Sequence, residues 1–269
     1  MGIGRPYSML KTNSNFIAHD QLSIHSFVNG FSFCKDTGVD FLTFSGNALE
    51  SFSKGFEEFL AYYPEGRFQQ ISWIVFDTPS AFVPTEFYRE ENSQAYIRNT
   101  FSVKSGQILQ SDFLRELSIH SLYCVQESIL SFLKDREETV TVRHSNSILL
   151  EYIASNVNKE NLFDKFYVHL QRESFELFHF RKGALQVCNR FVQHDVKEFL
   201  YFLFFAIGEL ATSSDDYEII FLGKFHDFSH YYKGTEKYYD KVSHLEWDDL
   251  GGTFSVAEHP APFLSNIFS

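Results

Sequence analysis

The chain has 269 residues, of which 44% are hydrophobic and 22% charged. This is long enough for one large or two modest globular domains, and the composition excludes a disordered chain. With 35 acidic against 23 basic residues the formal charge is −12 and no basic block occurs, which argues against unaided nucleic-acid binding.

Met1 to Asn15 contains no apolar run, so no secretory leader is expected there. Pro6 stands where a myristoylation signal after Met1-Gly2 would carry a small hydroxyl residue. Leu22, Ile24 and Ser26 open a short alternating run that ends at Val28-Asn29-Gly30, and Phe31 and Phe33 continue it. Asn-Gly between two such runs predicts a hairpin, because both residues tolerate positive φ. A third run, Phe41 to Phe44, stops at Gly46. Leu49, Phe52, Phe56, Phe59 and Leu60 then recur at helical spacing. Ile71 to Phe76 is a continuous apolar strand of the kind buried on both faces. Pro84 suits the first turn of a helix running to about Arg98. Between Phe101 and Lys159 the pattern predicts a strand over Leu117–Val125, a helix over Glu127–Leu133, a strand over Thr139–Arg143 and a helix over Ile148–Val157.

The second half repeats the order. Phe166, Val168 and Leu170 alternate, and Arg172-Glu173-Ser174 turns. Phe175 to Phe180 returns, Arg181-Lys182-Gly183 turns again, and Leu185, Val187 and Asn189 form a third strand. A helix is predicted over Gln193–Ala211, a buried strand over Ile219–Leu222 and a helix over Asp227–Tyr239. Apolar residues run almost all round the Gln193–Ala211 helix, which predicts burial on most sides, between its sheet and the other lobe. Its densest stretch, Phe199 to Ala211, is about thirteen residues, short of the roughly 20 that span a bilayer, so no membrane insertion is expected. Corresponding turns, helix starts and buried strands of the two halves lie about 144–146 residues apart, which points to a duplication. Residues 1–159 are therefore read as a first lobe with an added α/β segment, and residues 160–269 as a second lobe with a tail.

Three strands, then helix, strand and helix, given twice, is the order of the actin-like ATPase architecture, each lobe a ribonuclease-H-like α/β unit. Leu22-Ser23-Ile24 leading to Asn29-Gly30-Phe31-Ser32-Phe33, and Leu185–Phe191 followed by Val196–Leu210, resemble domain-of-unknown-function family 3822 of the Bacteroidetes. The resemblance covers roughly residues 15 to 245. It implies an α/β chain of two ribonuclease-H-like lobes in an actin-like ATPase arrangement, a fold shared with the type IV pilus scaffold PilM.

Actin-like ATPases hold phosphates in the first hairpin of each lobe, with an Asp orienting magnesium and Gly admitting backbone N–H groups to the phosphate. The corresponding stretch here, Ile24 to Gly30, contains no Asp, and Phe27-Val28 are bulky. Leu170 to Ser174 has neither Gly nor Asp, and the adenosine-side turn keeps one glycine, Gly223. Asn29, Gly30 and Gly223 are thus degenerate cleft positions, each with the simpler reading of an ordinary turn. Gly251-Gly252 reads as a loop. Losing metal orientation and phosphate donors together removes the electrostatics of phosphoryl transfer. The expectation is a pseudo-ATPase with no catalytic residue, no cofactor and no resident metal. A nucleotide-binding ATPase or switch with degenerate motifs is the alternative. A carboxylate–magnesium nuclease ranks last, with Asp77 as its one strand-end candidate.

The remaining chemistry is sparse. Cys34, Cys124 and Cys188 are odd in number with no CxxC, which supports neither zinc nor a disulfide framework and fits reduced cytoplasmic thiols. His226 and His230 are four apart, a spacing zinc can use with Asp227 or His244, but a solvated helix start accounts for it. His25, His120, His169 and His179 lie in predicted strands with no nucleophile elbow nearby. Glu86, Glu90 and Glu91 form an acidic face, read as solvated surface with a slight pointer to a partner's Lys or Arg. The Phe-rich tail, Phe254 and Phe263 to Phe268, reads as docking on the chain's own core or on a partner. A protein partner is expected, and its identity is not legible.

Overall fold

The structure, a computed structural model, describes residues 21–27, 30–35, 41–45, 48–62, 68, 70–136, 139–156, 163–171, 173–211, 217–222 and 228–245. It falls into two compact units divided between Glu151 and Tyr152.

In the first unit, β1 (Gln21–Phe27), β2 (Gly30–Lys35) and β3 (Phe41–Ser45) form an antiparallel meander. Helix α1 (Leu49–Tyr62) follows, then β4 (Gln70–Val75), parallel to β1. After an insertion and helix α3 the chain adds β8 (Val140–His144), parallel to β4, and runs into helix α4 (Ser145–Asn156). The strand order is β3-β2-β1-β4-β8. Alternation sorts the two faces of this sheet. Leu22, Ile24, Phe31, Phe33, Ile71, Trp73 and Val75 meet Phe52, Phe56 and Phe59 of α1. Those three α1 positions recur at i, i+4 and i+7, which is why one helix face faces the core while Lys54, Glu57 and Glu58 face solvent. The opposite face is polar yet buried: Ser23, His25, Ser32 and Ser72 are all under 9% exposed.

The insertion consists of β5 (Ser80–Pro84), a 3₁₀ turn at Glu90–Asn92, α2 (Ser93–Ile97), β6 (Gln107–Leu114) and β7 (Ile119–Gln126), with sheet order β5-β7-β6. Helix α3 (Glu127–Lys134) closes it. The helix predicted from Pro84 is not there. Pro84 instead ends β5, an edge strand, where the missing N–H interrupts no ladder. Helix α2 is a single short turn beyond it.

The second unit repeats the topology. Strands β9 (Asp164–Leu170), β10 (Ser174–Arg181) and β11 (Ala184–Val192) form the meander, followed by α5 (Val196–Leu210), β12 (Tyr217–Leu222), α6 (Ser229–Glu236) and β13 (Val242–Leu245). The order is β11-β10-β9-β12-β13, with β9, β12 and β13 parallel. The repeat read from sequence spacing is therefore a repeat of strand order. The β10–β11 turn is the predicted one: Arg181 faces Ala184, and Lys182 (φ 51°) and Gly183 (φ 74°) both take the left-handed region a two-residue turn of this hand requires. Asp195 caps α5, its carboxylate accepting from the N–H groups of Lys197 and Glu198. Those hydrogen bonds, the Glu198 one first, hold its carboxyl below the usual range.

Helix α5 corrects the expectation of burial on most sides. Phe199, Leu203, Ala206 and Ile207 are buried against the sheet, but Tyr201 and Phe205 are 64% and 57% exposed. The helix buries one stripe only, and its outer aromatics stack on each other at 6.1 Å. Among the described residues no helix is long and apolar enough to cross a membrane.

Candidate functional site

In an open α/β sheet, ligands collect beyond the carboxyl ends of the parallel strands, so these ends are where chemistry is sought. In the first unit β1, β4 and β8 finish side by side, with Ser26 opposite Val75 and Val75 opposite His144. The edge is stitched to itself. The Trp73 indole N–H donates to Ser26 Oγ at 2.9 Å, and the Phe76 N–H donates to the Ser26 carbonyl at 2.9 Å. Phe27 stacks on Phe76 at 4.8 Å. Asp77 then turns the chain away with φ 56°, left-handed backbone that short polar side chains tolerate better than bulky ones.

Beside it lies a buried network that the sequence reading did not single out. Asp112 of β6 accepts from Tyr123 Oη at 2.8 Å through one oxygen and from the His144 N–H at 2.8 Å through the other. His144 Nδ1 accepts from the Asn146 N–H at 3.0 Å, so the ring proton sits on Nε2 and is donated to the Thr78 carbonyl at 2.8 Å. Both carboxylate oxygens and both imidazole nitrogens thus have protein partners. Burial first, then the charge and hydrogen bond of Asp112, push the Tyr123 phenol further above its ordinary pKa. This network ties the insertion to the end of β8. Asp112→Ala leaves the His144 N–H without its acceptor and reduces Tyr123 to the Val142 carbonyl at 3.1 Å. The expected cost is about 2–3 kcal/mol, or a fall in melting temperature of roughly 5–10 °C, checked by circular dichroism melting. A variant that melts with the wild type would sink this assignment.

At the start of α4, Ser145 Oγ, Asn146 Oδ1 and Ser147 Oγ are buried with no hydrogen-bond partner among the described residues, as is Ser121 Oγ on β7. The two hydroxyls can donate to water or an anion, and the Asn146 amide oxygen can accept from water.

The second unit has its own version of a closed strand end. Gln171 N–H donates to the Ser174 carbonyl at 2.9 Å across the first hairpin. The buried Glu176 carboxylate meets His169 Nδ1 at 3.0 Å and accepts from Gln171 Nε2 at 3.1 Å on each oxygen. Burial, with Glu176 second, pushes the Cys188 thiol well up, and burial raises Cys124 as well, so neither is an activated nucleophile.

Of the residues singled out at the cleft, Gly30 is described. It is the first residue of β2, buried, facing Phe27 and Ser45 in the two ladders. The ladder thus places Gly30 in the strand and not in the turn read from Asn29-Gly30. Asn29 and Gly223 lie outside the described residues, as do His226, Asp227, Cys34's side chain and the tail. His230 lies tilted against Tyr231, and His244 of β13 packs against Phe221 and Tyr232. Among the described residues no group of three or more His, Cys, Asp or Glu could hold a metal ion.

Solved structures share this architecture. A Bacteroides thetaiotaomicron protein of actin-like ATPase fold and unknown function is 15% identical at a TM-score of 0.70, over 87% of this chain and 94% of that one. The PilM–PilN type IV pilus biogenesis complex is 10% identical at a TM-score of 0.54, over 86% of this chain and 90% of that one. At these identities the likeness is one of fold: the chain is α/β, of the actin-like ATPase class. No curated protein matches it. The family described as protein of unknown function DUF3822 matches residues 11–242, and the chain belongs to that family.

Proposed function

We propose that this protein is a cytoplasmic, non-catalytic actin-like module that acts by binding another protein, built of a first lobe over residues 1–159 and a second over 160–269. The observation that supports this most is that two buried carboxylates near the strand ends, Asp112 and Glu176, already have partners within the protein. Asp112 is consumed by Tyr123 and His144, and Glu176 by His169 and Gln171. Magnesium held for phosphoryl transfer needs carboxylate oxygens free to reach it directly or through water. The fold-level analogy with PilM, whose structure is a complex with PilN, runs in the same direction.

One observation favours a second reading, a nucleotide-binding switch with degenerate motifs. The Ser145 and Ser147 hydroxyls, without a hydrogen-bond partner among the described residues, sit at the start of a twelve-residue helix beyond the end of β8, and helix starts suit anions. A thermal shift separates the two. With about millimolar ATP or ADP and magnesium, the expected result is a melt unmoved from the ligand-free one. A rise of several degrees would mean the folded state binds nucleotide by mass action and would put the switch ahead. Magnesium-dependent hydrolysis above blank would remove the non-catalytic reading altogether.

A further inference from the structure

The insertion carries a surface that its own fold does not use. On β6 and β7, Phe113 faces His120, and the two rings stack at 5.0 Å. Tyr88 stacks on the other side of His120 at 3.8 Å, and Tyr96 follows Tyr88 at 6.1 Å. Hydrogen bonds tie one end of the row to its loop: Tyr96 Oη donates to the Phe87 carbonyl at 2.6 Å and accepts from the Arg89 N–H at 3.1 Å. Phe113 is nevertheless 49% exposed at one end of the row, and Phe87, next to Tyr88, is 64% exposed.

Acidic residues lie close to the rings in sequence. Glu86, Glu90 and Glu91 flank Phe87 and Tyr88 in sequence and are exposed. The Thr85 N–H donates to the Ser118 carbonyl, which brings the β6–β7 turn, with exposed Glu116, against the same loop. None of these four carboxylates has an ion-pair partner among the described residues. Two cations stand among them in sequence: Arg89, turned onto the Tyr88 and Glu86 carbonyls at 2.7 and 3.4 Å, and Arg115, exposed beside Glu116. The acids survive the loss of the helix predicted over this stretch, because their exposure does not depend on helical spacing.

We propose that this aromatic row with its acidic rim docks a basic amphipathic protein segment, large apolar side chains on the rings and Lys or Arg against the rim. Exposed aromatic anchors and a rim with an excess of one charge are the recurring parts of such sites. The rim repels phosphate backbones and anionic lipid surfaces. It also disfavours two occupants from this chain. Residues 246–269 carry acidic residues and no Lys or Arg, and a second copy would bring the same acidic rim on a chain of net charge −12. The inference deepens the protein-binding reading by giving the partner's chemistry.

The test uses the full chain and a fluorescein-labelled amphipathic Leu/Lys helical peptide, with Leu/Gln and Leu/Glu peptides of the same pattern beside it. Anisotropy is expected to rank Leu/Lys first, with affinity falling as salt rises from about 50 to 300 mM. Phe87→Ser with Phe113→Ser should weaken Leu/Lys binding about tenfold with an unchanged melt, as expected for exposed anchors. Glu86→Gln with Glu116→Gln should weaken it about fivefold, while Glu50→Gln with Glu57→Gln, the same charge change on α1, should leave it within about twofold. Equal losses in the two Gln pairs would reduce the effect to net charge and overturn the proposal, as would no loss in the Phe variant. Concentration-dependent self-association abolished by the Phe variant would make a second copy the occupant and overturn it too. Nucleotide binding in the thermal-shift experiment would put the switch ahead without moving any of these peptide results.

Discussion

Phe199→Ala is expected to cost about 3–5 kcal/mol, the range for emptying a fully buried Phe site. Phe199 is 0% exposed and meets Phe175 edge-on at 4.9 Å, Tyr231 at 5.1 Å and Phe221 at 6.2 Å. These rings come from β10, α6 and β12, so relaxation at one wall cannot close the cavity. Tyr201→Ala, two residues along the same helix and 64% exposed, is expected to stay within about 0.5 kcal/mol. Denaturant unfolding of the pair measures the contrast. A Tyr201→Ala loss as large as that of Phe199→Ala would mean that the outer stripe of α5 is a buried one.

The second large effect is in pH. His25 lies on the polar face of the first sheet, 0% exposed, with Ser23 Oγ 2.8 Å from Nε2 and Phe76 5.5 Å from the ring. Burial lowers its pKa to about 3. A folded pKa below the unfolded value of 6.5 means the unfolded chain takes the proton first as pH falls. The contribution of neutral His25 is therefore whole above pH 6.5 and declines from there down to about pH 3. The slope is about 1.4 kcal/mol per pH unit, or roughly 3 kcal/mol by pH 4.5. His179, lowered chiefly by burial against the opposing pull of Asp164, adds in the same direction. Carboxylates titrate in this window as well, so the measurement is a difference: unfolding free energy at pH 7 and pH 4.5 for the wild type and for His25→Gln. The variant should lose less on acidification, whatever its stability at pH 7. Equal losses would show that His25 takes no part.

Both effects bear on how the fold is written in the sequence. The meanders, the buried strands at Ile71 and Ile219, and the stripe of α1 were legible because each rests on local periodicity. Strand β13 was not: Val242-Ser243-His244-Leu245 is four half-buried residues at a sheet edge, too short to show a period. The Pro84 segment misled because proline suits a helix start and the end of an edge strand equally well, and pairing with β7 decides between them. The Asp112–Tyr123–His144 network lay outside any spacing rule. Its members are 11 and 32 residues apart and meet only because the insertion folds back on β8. No local sign marked it, because Asp112 follows Gln110-Ser111 in β6 and reads as one more polar residue of the strand. The Phe surplus concealed the difference between Phe199, which is core, and Phe87 and Phe113, which are not. Composition treats them alike, and only the neighbours separate them.

The insertion also has a bearing on descent. In the second unit only residues 223–228 separate β12 from α6, whereas in the first the chain makes three strands between β4 and α3. Yet Tyr123 and Val125 of β7 belong to the core cluster beneath α1 and α3. The addition is grafted into the hydrophobic interior, so a lineage that shed it would lose part of the lobe along with it. Its outer rim carries no such debt, so the Phe87 loop can diverge between relatives while β7 stays fixed.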